Sequence, residues 1–173
     1  MTTASEPIRW VRVGTSSNQE PERAVAEALA PVLEMGQPKL AILFCSPAQD
    51  LSQVSRLVKQ AIGNNEVIGC SSAGELIRDH ALSGGLVIWA LGGDGFNVST
   101  GFGLGTPEEG LRNAAAEAAR CIERVERKQH TLMFLLADGL CGDQMEVVRG
   151  AYDICGAHVP LMGGCAGDDM ALQ

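Results

Sequence analysis

Leu40-Ala41-Ile42-Leu43-Phe44-Cys45 is an unbroken apolar run without a charge, and Thr131-Leu132-Met133-Phe134-Leu135-Leu136 repeats the pattern in the second half of the chain. A strand apolar on both faces must be covered on both faces, which is the environment of a parallel sheet beneath helices. These two runs are therefore expected to be central strands. Helical patterns surround the first. Pro21–Met35 carries Val25, Leu29, Val32 and Leu33 at helical spacing and ends at Gly36. Asp50 with Gln53 resembles a capping box, and Leu51, Val54, Val58 and Ala61 follow on one face. Further strands are expected at Trp10–Thr15, Glu66–Cys70 and Gly85–Leu91, and Gly92-Gly93-Asp94-Gly95 turns into another over Phe96–Phe102. Thr106-Pro107-Glu108-Glu109 reads as a helix start, with Leu111, Ala115, Ala118, Ile122 and Val125 on one face. Asp143 and Glu146 open a helix using Met145, Val148, Tyr152 and Cys155, and His158–Met162 reads as the last strand.

The halves tell one story twice. Ala24–Ala30 (A-V-A-E-A-L-A) matches Ala114–Arg120 (A-A-A-E-A-A-R), Leu40 matches Leu132, and Ala73-Gly74 matches Ala166-Gly167, with the offset drifting from 90 to 92 to 93. Agreement of order, spacing and glycine-rich ending points to an internal duplication. The fold class is α/β: two β-α-β-α-β halves, about 9–92 and 96–173, forming a mixed sheet or two packed sheets covered by helices. A length of 173 residues suits one domain. The second half reaches Gln173 before an equivalent of Gly85–Leu91. An open edge is thus expected beside residues 159–165, covered by a strand-sharing homodimer or a partner chain.

Composition narrows the function. With 46% hydrophobic and 20% charged residues, the chain is expected to pack a core. The charge of 13 − 21 = −8 and only seven aromatics (Phe 4, Trp 2, Tyr 1) argue against nucleic acid. No apolar run has membrane-span length and no signal peptide is recognised, so a cytoplasmic location is expected. The six cysteines form no C-x-x-C, and reduced, packed thiols are expected. His80, His130 and His158 are isolated, so no metal site is assigned, and Walker A and G-x-S-x-G are absent.

Ligands in open α/β sheets collect beyond the carboxyl ends of strands. Gly69-Cys70-Ser71-Ser72-Ala73-Gly74-Glu75 and Gly163-Gly164-Cys165-Ala166-Gly167-Asp168-Asp169 are read as glycine-rich turns there. Ser71 and Ser72 can donate or accept, main-chain N–H groups of Gly74 and Gly164 can hold an anionic group, and Asp138 or Asp168 can take an amine. Cys70, Glu75, Gly163 and Cys165 complete the candidate ligand site. That chemistry suits a zwitterion, and paired turns are expected to share a pocket.

Val67–Leu76 (V-I-G-C-S-S-A-G-E-L), Ala137-Asp138-Gly139 and Pro160–Asp168 (P-L-M-G-G-C-A-G-D) together resemble the N-terminal region of the FIST family, the F-box and intracellular signal transduction proteins. The resemblance runs from about Arg9 to Gln173. It implies an intracellular sensory domain that binds a small, amino-acid-like ligand and works through signalling partners, with some members haem-based gas sensors. A FIST C-like region and the strands closing the second half are not recognised. The resemblance offers haem as the alternative cofactor and a protein-interaction scaffold as the alternative role. An enzyme with Cys70 or Cys165 as nucleophile is the lesser reading, because no His is related to either in sequence. Gly101–Thr106 spaces its glycines as G-x-G-x-G, which is not the dinucleotide fingerprint.

Overall fold

The structure, a computed structural model, describes residues 9–77, 80–105, 110–126 and 130–167. The fold is mixed α/β, and the chain divides into two compact units, Met1–Val98 and Ser99–Gln173.

The first unit contains β1 (Trp10–Ser16), α1 (Pro21–Leu33), β2 (Leu40–Cys45), α2 (Leu51–Ile62), β3 (Glu66–Ser71), a hairpin of β4 (Glu75–Ile77) and β5 (His80–Leu82), and β6 (Leu86–Gly92). Its sheet has the order β1-β6-β2-β3. β6 is antiparallel to both β1 and β2, while β2 and β3 are parallel. The carboxyl ends of β1, β2 and β3 therefore lie at one edge, where β6 begins. As its composition demands, β2 is internal, with Ala41, Ile42, Leu43 and Cys45 buried. Val25, Leu29 and Val32 of α1 and Val54, Val58 and Ile62 of α2 close over Leu43, Leu86 and Ile88. Asp50 caps α2 by accepting from the Gln53 N–H at 3.0 Å, but the Gln53 amide turns to Glu22 (2.7 Å) instead of back to the cap. The hairpin β4–β5 has no counterpart in the sequence reading. Its strands are too short for a period to show.

The second unit contains α3 (Leu111–Ala119), which tightens into a 3-10 turn at Arg120–Arg124, then β7 (Met133–Asp138), α4 (Gln144–Cys155) and β8 (Leu161–Ala166). α3 begins after Gly110, whose φ is 96°; the start read at Thr106–Glu109 lies outside the described residues. β7 and β8 pair in parallel. Met133 packs with Ile122, Ala151, Cys155 and Val159, and Leu111 and Ala115 pack with Val147.

Four expectations are corrected here. Phe96–Phe102 forms no strand, since none of the described strands ladders with it. β7 is one of two paired strands, not a central one, among the described residues. β8 starts at Leu161, after a turn in which the Val159 N–H donates to the Gly156 carbonyl and after Pro160, which has no N–H to give a ladder. The buried stripe of α4 is Val147, Gly150, Ala151 and Cys155, while Met145 is 57% exposed. Gly150 sets that rotation: a Cβ there would lie 2.1 Å from the Arg112 carbonyl oxygen of α3.

Candidate functional site

In the first unit the strand ends are joined by side chains. Gln49, 6% exposed, follows β2 and donates through Nε2 to the Asn18 and Gly84 carbonyls, both at 3.1 Å. Gln19 donates to the same Gly84 carbonyl at 2.8 Å. The β1–α1 loop, the β2–α2 loop and the entry to β6 are thereby tied together. Both Nε2 hydrogens meet carbonyls, so the amide orientation is fixed by its partners. Gln49 Oε1 is buried with no hydrogen-bond partner among the described residues. Ser16 Oγ and Asn18 Nδ2 donate to Glu27, and these bonds hold its carboxyl below the usual range, assisted by the charge of Arg23.

The first candidate segment sits beside this cluster. Gly69, Cys70 and Ser71 lie in β3 itself, not in a turn, and the chain turns only from Ser72. Ser72 donates its N–H to the Cys45 carbonyl (3.0 Å) and its hydroxyl to Glu75 Oε1 (2.6 Å). Glu75 is 4% exposed and its Oε2 accepts from the buried Gly85 N–H at 3.2 Å, so its carboxylate pins the hairpin to the start of β6. Gly74 is exposed, with φ 150°.

The second candidate segment shows the same displacement. Gly163, Gly164 and Cys165 are in β8, which ends at Ala166. The apolar composition after Pro160 starts the strand late, so the glycines fall inside it. Gly163 (φ 145°) lies so near its register partner Leu135 that a Cβ would be 1.7 Å from that carbonyl oxygen. Cys165 is exposed beside Gly139. Asp138 ends β7: its Oδ1 accepts from the Leu140 N–H (2.8 Å) and its carbonyl accepts from Gln144 Nε2 (2.8 Å). Asp168 lies outside the described residues. The structure thus gathers Cys70, Ser71, Ser72, Gly74 and Glu75 at the end of β3, and places Asp138 and Cys165 at the ends of β7 and β8, while Gly163 and Gly164 lie within β8 opposite Leu135 and Leu136.

Gln49, Gln19, Asn18 and Glu27 were not singled out from sequence. Gln49 stands directly before a cap residue, and that neighbour is the only local signal it carries.

Burial pushes the Cys45 thiol up to about 11, with the charges of Glu75 and Asp50 adding to it, and burial also raises Cys70. A thiol that ionises less readily folded than unfolded favours the unfolded chain once the latter loses its proton. Stability contributed by Cys45 is therefore full below the unfolded thiol pKa of about 8.5–9 and is lost as pH rises towards 11. Urea midpoints followed by tryptophan emission should fall across that window, and Cys45→Ala should flatten the fall. Among the described residues, no group of three His, Cys, Asp or Glu side chains could hold a metal ion.

Parallel strand pairs bridged by helices, with polar groups collected at the strand ends, define an α/β domain of βαβ units. No helix among the described residues is long and apolar enough to cross a membrane. The FIST N domain matches residues 39–173, well over half of the chain, and the protein belongs to that family of sensory and signal-transduction domains. The matched stretch begins just before β2, so β1 and α1 precede it. A search of curated proteins returns no match.

Proposed function

We propose that the chain is a cytoplasmic sensory module that holds a small amino-acid-like ligand at strand carboxyl ends and signals its presence to a partner protein. The observation that carries this reading is Gln49 Oε1, a buried acceptor without a donor among the described residues, held by an amide that cannot usefully flip. A buried polar group of this kind calls for a hydrogen-bond donor. An ammonium group supplies one, and the charge of Glu75, felt at Cys45, favours a cation nearby. Ser71 and the exposed main chain at Gly74 offer donors for the carboxylate end. Asp138 and the main chain of Gly164 offer the corresponding pair in the second unit.

Free amino acids tested by thermal shift should include at least one that raises the melting temperature. A ligand at about 100 times its dissociation constant adds about 2.7 kcal/mol to the native state. Gln49→Leu should abolish that shift whatever its own melting temperature. In the unaltered protein, the Gln49 side-chain amide resonance should move on addition of the same compound. No shift with any amino acid, or a shift unchanged in Gln49→Leu, would overturn the proposal.

A further inference from the structure

Cys45, Cys121 and Cys155 are buried, Cys70 and Cys141 are half-buried, and Cys165 is exposed. In the second unit, the thiols that a solute can reach are therefore Cys141 and Cys165. Their surroundings bring them together. Met133, Leu135 and Ala137 alternate along β7 and pack into the clusters formed by α3 and α4, so theirs is the helix-covered face of the strand. Parallel register partners present their side chains to the same face, and Leu161, the partner of Met133, packs in the same cluster as Met133. Cys165 is the partner of Ala137 and shares that face. Like Leu135 and Ala137, Cys141 packs against Leu111, Ala115 and Val147. Both thiols thus flank Ala137 on one face, at the carboxyl ends of β7 and β8.

The loop that carries Cys141 is short and open, with Gly139, Leu140 and Gly142 exposed. The Cys141 N–H turns back to the Asp138 carbonyl at 3.4 Å. Gly139 passes so near β8 that a Cβ on it would lie 3.2 Å from the Cys165 Cβ, whereas the two Cβ atoms of a disulfide lie about 3.8 Å apart. The loop therefore approaches Cys165 at disulfide range. Cys141 Sγ donates to the Asp138 carbonyl at 2.9 Å and accepts from Gln144 Nε2 at 3.3 Å. Once the thiol gives up its proton, that amide is a donor already in place for the thiolate, the form that reacts.

We propose that Cys141 and Cys165 form a thiol–disulfide couple whose oxidising substrate is a hydroperoxide. The Cys141 thiolate attacks a peroxide oxygen: an S–O bond forms, the O–O bond breaks, and the departing oxygen takes a proton to leave as an alcohol or water. Cys165 then attacks the Cys141 sulfur. An S–S bond forms, the S–O bond breaks, and hydroxide leaves as water with the Cys165 proton. The two sulfurs lose two electrons and the hydroperoxide gains them. In the disulfide the Asp138 carbonyl no longer receives the Cys141 thiol, so the state of the couple is felt at the end of β7. None of this chemistry needs the amino-acid-like ligand.

The full chain, reduced, dilute and freed of reductant, is treated with hydrogen peroxide, its remaining thiols are blocked, and the digest is read by mass spectrometry. The chain should become two hydrogens lighter, with one link, Cys141 to Cys165, that dithiothreitol removes. Cys165→Ser should lose the link and leave Cys141 as a sulfenic acid that dimedone labels. Cys141→Ser should lose both. Phenylarsine oxide, which needs two neighbouring thiols, should bind the reduced parent and neither variant. A link through another cysteine or between chains, oxidation of Cys141 in the parent without a link, or arsenical binding that survives in both variants would overturn the proposal.

Discussion

Gly163→Ala should unfold the second unit's sheet, while Gly164→Ala next to it should leave the unit intact. The two glycines are indistinguishable in sequence, but their surroundings differ. At Gly163 a methyl group would sit 1.7 Å from the Leu135 carbonyl oxygen and 2.7 Å from its carbon, on a backbone with φ 145°. Among the described residues, nothing lies within 4 Å of a Cβ built on Gly164. The clash involves main chain of β7, which cannot move without breaking the ladder. Overpacking and strained backbone each cost about 1–3 kcal/mol, so the first variant should lose about 3–5 kcal/mol. The second should stay within about 0.5 kcal/mol of the parent. Hydrogen exchange at residues 133–138 reads the difference. Native exchange in Gly163→Ala would show that β7 and β8 are not paired in this register.

Glu75→Ala is expected to be the most damaging polar substitution in the first unit. The residue is 4% exposed, and its two oxygens receive the Ser72 hydroxyl and the Gly85 N–H. Hydrogen bonds to a charged group contribute about 1.5–3 kcal/mol, and a buried N–H left without an acceptor costs about 1–3 kcal/mol, so a loss of about 3–5 kcal/mol is expected in urea unfolding. Glu75→Gln keeps an acceptor for Gly85 and should cost much less. It also removes a negative charge that disfavours the Cys45 thiolate. The Cys45 pKa should therefore fall from about 11 while burial, the larger cause, keeps it above an ordinary thiol. Thiol reaction rates against pH measure this. An unchanged Cys45 profile in Glu75→Gln would mean that the carboxylate does not act on the thiol.

Much of this architecture is written in the sequence where the signal is continuous hydrophobicity. Leu40–Cys45 is the internal strand that its run suggests, and Val54 and Val58 share one buried helix face. The equally apolar Thr131–Leu136, by contrast, holds a strand laddered on one side alone among the described strands. Boundaries failed where tertiary neighbours decide. Phe96–Phe102 has strand composition, but a strand needs a ladder, and composition does not reveal whether one is present. Gly150 rotated α4 away from the stripe read at Met145, Val148 and Tyr152, because close helix approach outweighs the burial of a flexible Met. The candidate site was legible as a neighbourhood and less so as chemistry. Cys70 and Ser71 lie inside β3 and not in the turn read there, and Glu75 and Ser72 spend their polar atoms on each other. Gln49 escaped notice because nothing local distinguishes a buried glutamine from an exposed one.

The position of β6 has a consequence for the chain as it is made. β2, α2 and β3 form a local parallel pair that can assemble soon after it emerges. β1 cannot join them directly, because its register partner for Ser16 is Leu86 and for Trp10 is Gly92. Leu86 follows Ser16 by 86 − 16 = 70 residues, and at about 5–20 residues per second the ribosome needs roughly 4–14 s to deliver it. For that interval β1 lacks its ladder partner, with Val11 and Val13 open to any other nascent strand nearby.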